Sequence, residues 1–60
     1  MYGIKNNQGM KIRGMYFDIQ AAEKIASNHS KNDTATWMVI SGELVLSEYI
    51  NGIKQNKNNV

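Results

Sequence analysis

Apolar residues recur along the chain at two spacings. Over residues 10–17 they alternate with polar ones: Met10, Ile12 and Tyr16 share one side, while Lys11 and Arg13 share the other. That period of two marks a half-buried strand. Residues 2–5 read as a shorter strand, and Asn6-Asn7-Gln8-Gly9 between the two has turn composition, so the start of the chain reads as a hairpin. Gly14 interrupts the second strand and marks a bulge or a close approach by the helix.

The period then changes. Asp18 can accept from the free N–H groups of a following helix, and Ile19, Ala22, Ile25 and Ala26 fall at helical spacing. A helix is predicted over residues 19–27. The polar residues 28–33 should end it in a loop. Two further apolar runs, 34–40 and 43–50, flank Ser41-Gly42, which predicts a second hairpin with a two-residue turn. Leu46, Tyr49, Ile50 and Ile53 also sit at i, i+3, i+4 and i+7, so a helix over residues 43–51 competes with the last strand; the pattern favours the strand.

The order is ββαββ. This is a small α+β domain over residues 1–52, built of antiparallel hairpins with one helix packed on one sheet face. Residues 53–60, mostly Asn, Lys and Gln, read as a flexible polar tail.

The second hairpin carries the functional expectation. With Ser41-Gly42 as its turn, Trp37, Val39, Leu44 and Leu46 share a face suited to the helix. Met38, Ile40 and Val45 share the other, with Thr36, Ser47 and Tyr49 around them. A hairpin open to water on one side should be polar there. This one is not, so either the chain's own tail or first hairpin covers it or it is an interface. Its composition favours the interface, and Met38, Ile40, Val45 and Tyr49 are expected to form a self-association surface. Size points the same way. A 60-residue chain buries about 60% of its unfolded surface, and chains so small rely on disulfides, metals or oligomerisation. This one has no Cys and a single His, His29, which leaves oligomerisation.

Charge adds a second, competing expectation. Residues 1–17 carry Lys5, Lys11 and Arg13 with no acid, whereas residues 34–50 carry Glu43 and Glu48 with no base. The basic hairpin grips a phosphate backbone, or the two halves complement each other within one chain or between copies, or the layout is ordinary surface variation. Tyr2, Tyr16 and Phe17 lie near the basic strand, where they could stack on single-stranded bases or belong to the core.

No residue set carries recognisable chemistry. His29, Ser30 and Asp33 are triad residue types confined to one predicted loop without a framework to orient them. The five acids have no metal-ligand spacing, and the glycines form no phosphate-binding pattern. Catalytic, metal and cofactor sites are therefore expected to be absent. With no apolar run of signal-peptide or membrane-span length, a cytoplasmic location is expected (the host cytoplasm for a phage-encoded chain) and a membrane partner is not. The Asn, Ile and Lys bias suits the AT-rich genome of a bacterium or its phage. Two functions follow. The first is a homodimeric or larger protein-interaction module that binds and modulates a bigger bacterial or host-defence protein, for instance by blocking it. The alternative is a dimeric nucleic-acid-binding regulator using Lys5, Lys11 and Arg13.

Overall fold

A computed structural model describes residues 1–55. The elements are β1 (Tyr2–Asn6), β2 (Lys11–Tyr16), α1 (Ile19–Asn32), β3 (Trp37–Ser41), β4 (Leu44–Ile50) and β5 (Ile53–Lys54). All strands join one antiparallel sheet in the order β2-β1-β3-β4-β5, and α1 packs on one face of it. The α+β class and the two hairpins flanking a helix follow the sequence reading. The apolar run after residue 43 is a strand, not a helix.

Three local differences have physical causes. The helix runs five residues past its expected end, through Asn32. Asn28, His29, Ser30 and Asn32 are poor helix formers by propensity, but tertiary partners override that weak preference. Ser30 is fully buried: its hydroxyl donates to the Ser27 carbonyl at 2.9 Å and accepts from the Gly52 N–H at 2.8 Å. Ala22, Ala26 and Ser30, all at zero exposure and spaced by four, form the stripe that lies against the sheet.

The second difference is at the expected tail, whose residues 53–55 are held against β4. Asn51 and Gly52 take positive φ values of 54° and 81°, the conformation of a type I′ turn, and return the chain as β5 against Tyr49 and Ile50. The Ser27 hydroxyl donates to the Gly52 carbonyl at 2.8 Å and fastens this turn to α1. Of the predicted tail, residues 56–60 lie outside the described residues.

The third is register. The second hairpin turns at Gly42-Glu43, with Ser41 opposite Leu44 and Ile40 opposite Val45, so the expected Ser41-Gly42 turn is displaced. Past that point Val39 pairs with Ser47 and Trp37 with Tyr49, which leaves Leu46 as an extra residue in a β-bulge. One inserted residue exchanges the faces of everything beyond it. Ser47 and Tyr49 therefore stand on the helix side with Trp37 and Val39, contrary to the expected pattern.

The core under α1 comprises Ile4, Ala22, Ala26, Ala35, Trp37, Val39 and Tyr49, with Tyr2, Ile12, Tyr16, Ile19 and Ile25 packed around it. Met10, expected on the inner face of the second strand, precedes β2 and is exposed. Asp18 caps α1 as expected, its carboxylate accepting from the Gln20 N–H at 3.1 Å.

A second bulge bends β2. Tyr2 pairs with Tyr16 and Ile4 with Ile12, so Arg13, Gly14 and Met15 together face Gly3. Gly14 has φ 64°, as its place in the bulge requires. A Cβ on Gly3 would be driven into the Ile12 carbonyl oxygen and lie 2.7 Å from the Arg13 Cα, so β2 crosses over β1 at the one residue without a side chain. Gly3→Ala should therefore cost about 3 kcal/mol by overpacking. Gly14→Ala, where a Cβ meets open space, should cost only the roughly 1 kcal/mol of a left-handed conformation. Urea unfolding of both variants tests this; equal losses would mean that β2 does not lie on Gly3.

Candidate protein-interaction surface

The residues expected to mediate self-association divide between the two faces. Tyr49 is buried against the helix side at 6% exposure, and its burial, followed by the nearby Glu23 carboxylate, raises its phenol pKa above 10.0. Ile40 lies on the opposite, outer face, yet it is only 1% exposed. It sits across from Gly3, where the β2 backbone passes. Met38 is half-buried between Lys5 and Glu48, and Val45 is 40% exposed. The four thus form no single patch; only Val45 is well placed on an open surface.

The cover of Ile40 comes from the first hairpin. Lys11 and Arg13 project from β2 on the outer face and reach across to Glu43 in the β3–β4 turn. The Lys11 Nζ lies 3.3 Å from Glu43 Oε1, and the Arg13 Nη2 lies 2.8 Å from Oε2. Because β1 and β3 lie between β2 and β4, these ion pairs bridge the strip of sheet that holds Ile40. Lys5, paired directly with Lys11 in the ladder, adds a third cation on this side. The hydrogen bond from Lys11 and then the charges of Lys11 and Arg13 hold the Glu43 carboxyl below its ordinary pKa of 4.5, with a smaller contribution from Lys5. The complementarity of the basic and acidic halves is thus realised within one chain.

The sequence reading missed the surface that remains open. Leu44, Val45 and Leu46 on β4 are 64%, 40% and 39% exposed, and Ile50 and Ile53, paired across the β4–β5 turn, are 39% and 66% exposed. Met1, Met15 and Phe17 are exposed too, with Met15 and Phe17 flanking Tyr16 where it pairs with Tyr2. Two signals pointed to the β4–β5 surface. Asn51-Gly52 between apolar residues is a strong hairpin indicator, and Leu44-Val45-Leu46 is a three-residue apolar run that no alternating strand can hide on one face.

The triad residue types separate in the fold. The His29 ring stacks on Trp37 with centroids 4.5 Å apart, and Ser30 faces Ser27 and Gly52. Asp33 accepts from the Trp37 indole N–H at 3.0 Å and from the Ala35 N–H at 3.0 Å. Each has a structural partner, and the three make no nucleophile–base–acid chain. Glu23 accepts from the Ser47 hydroxyl at 3.0 Å and from Lys54 at 3.4 Å. Among the described residues no group of three or more His, Cys, Asp or Glu is placed to hold a metal ion, and no helix is long and apolar enough to cross a membrane. No protein-family model, curated protein or solved structure matches the chain.

The Glu43 bridge has a pH signature. Its carboxyl is more acidic in the folded chain than in the unfolded one, so its stabilisation is present above the ordinary carboxylate pKa and lost as pH falls through the depressed folded value. In urea titrations the native chain should exceed Glu43→Gln in stability at neutral pH. The gap should close below pH 4.5 and shrink in high salt. A gap independent of pH would show that the bridge does not form in solution.

Proposed function

We propose that the chain is a small, cytoplasmic, non-enzymatic interaction module. It associates with itself and binds a larger bacterial or host-defence protein, modulating that protein by covering part of its surface. The observation that carries this reading is the apolar surface of β4 and β5, where Leu44, Val45, Leu46, Ile50 and Ile53 all remain exposed in a chain of 60 residues. They do not share one face, since Leu44 pairs with Ser41 on the helix side and Val45 with Ile40 on the outer side. What they share is one edge of the sheet, and an exposed apolar edge strand invites another chain. The chain's reactive residue types support it from the other side, since His29, Ser30 and Asp33 are each engaged in holding the helix end to the sheet. A service to bacteria or phage as an accessory factor accords with the Asn, Ile and Lys bias.

The nucleic-acid reading has weaker support. Two of its three cations, Lys11 and Arg13, converge on Glu43, and Tyr2 and Tyr16 pack against the core, leaving Phe17 as the exposed aromatic beside the basic strand. Binding to phosphates would have to compete with an ion pair already made.

Light scattering on a size-exclusion column should report a dimer or larger assembly for the native chain at micromolar concentration. Val45→Glu should run as a folded monomer, because Val45 is 40% exposed and lies outside the core. A native chain that stays monomeric at high micromolar concentration and binds polynucleotide with a steep salt dependence would replace this reading with the nucleic-acid one.

A further inference from the structure

The two edges of the sheet are not alike. On the β2 edge, the charged side chains of Lys11 and Arg13 oppose the approach of another strand. On the other side β5 covers only Tyr49 and Ile50, and the Gln55 N–H reaches the Glu48 carbonyl at 2.8 Å. Beyond that, among the described residues, no strand lies along β4 from Leu44 to Ser47. That stretch carries no charge. Of the two acids that flank it, Glu43 is drawn over the outer face toward Lys11 and Arg13, and Glu48 stands across from Met38.

We propose that this stretch of β4 is where a second copy of the chain docks, by adding its own β4 antiparallel across a twofold axis through Val45. The inference rests on the self-associating reading above and names its interface. A bare row of backbone N–H and C=O groups is satisfied by another strand, which narrows the occupant to something extended. A second copy fits that edge in one register in particular. With Val45 opposite its own counterpart, Leu44 meets the partner copy's Leu46 on both sides of the axis, and Glu43 falls opposite Ser47, so no like charges face each other. Shifting the centre to Leu46 would set Leu44 against Glu48 and lose the apolar match. The chosen register joins the two five-stranded sheets into one and puts both helices on the same side. The pairing runs through the bulge at Leu46 and ends where β5 begins to cover β4.

The test uses the absence of Cys from the chain. In full-length Val45→Cys, two thiols directly opposite in an antiparallel pair have Cβ atoms about 4.5–5.5 Å apart, close enough for a disulfide after slight adjustment. Mild oxidation should convert Val45→Cys to a covalent dimer, whereas Ile50→Cys, far from the axis, should remain uncrosslinked. In the native chain, amide exchange over residues 44–47 should slow by at least about tenfold between dilute monomer and dimer. A dimer by light scattering that shows neither effect would overturn this interface while leaving self-association standing. A chain that is monomeric throughout would overturn both. A monomer whose residues 44–47 are already protected, and lose that protection when residues 56–60 are deleted, would assign the edge to the chain's own end instead.

Discussion

Burial of Trp37 is the constraint on which this small fold turns. It is the only Trp in the chain, it lies on the central strand, and it is 2% exposed. A side chain of that size buries 150–250 Å² at about 25 cal/mol per Å², a large contribution in a 60-residue domain. Its indole N–H must be satisfied in the process, and the Asp33 carboxylate does so from just beyond the helix. His29 stacks on the ring one turn earlier. The helix therefore extends to Asn32 because its last turn is one wall of the Trp37 site. Tyr49, opposite Trp37 in the ladder, forms the neighbouring wall.

The same constraint explains the bulge at Leu46. Without an extra residue, regular pairing would set Glu48 on the inner face across from Trp37 and turn Tyr49 outward. The bulge reverses this: it places Tyr49 beside Trp37 and Ser47 within reach of Glu23, at the expense of Leu46, which loses its partner. The apolar surface along β4 is in this sense a by-product of filling the core. A strand that must carry Leu44, Val45 and Leu46 in succession through a bulge cannot bury all three, and each stays at least 39% exposed.

Much of this architecture was legible in the chain. The first hairpin, the Asp18 cap, the outward Lys11 and Arg13 and the bulge at Gly14 all follow from period, capping chemistry and glycine's tolerance of positive φ. What was not legible is what depends on pairs distant in sequence. Ser30 reads as a loop residue until Gly52, twenty-two positions on, donates to it. The face of Tyr49 depends on one inserted residue, which leaves the hydrophobic pattern unchanged. The expected association surface of Met38, Ile40, Val45 and Tyr49 came from extending an unbulged ladder, so it joined residues from opposite faces. The β5 hairpin was legible, through Asn51-Gly52, but the polar residues after it masked the signal.

Charge and edge geometry meet at Glu43. A carboxylate at the tip of the second hairpin, left to itself, would stand in water at the end of an open strand and repel its own copy in any pairing along that strand. Lys11 and Arg13 draw it across the outer face instead, and they do so from the opposite edge of the sheet. The arrangement serves two ends at once. It spans the strip of sheet that holds Ile40, whose outward position the helix cannot reach, and it draws the Glu43 charge off the uncharged stretch from Leu44 to Ser47. The basic residues that composition marks as candidates for phosphate therefore act first on their own chain. They bridge one face of the sheet and hold the Glu43 charge away from the apolar stretch of β4 that no strand covers among the described residues.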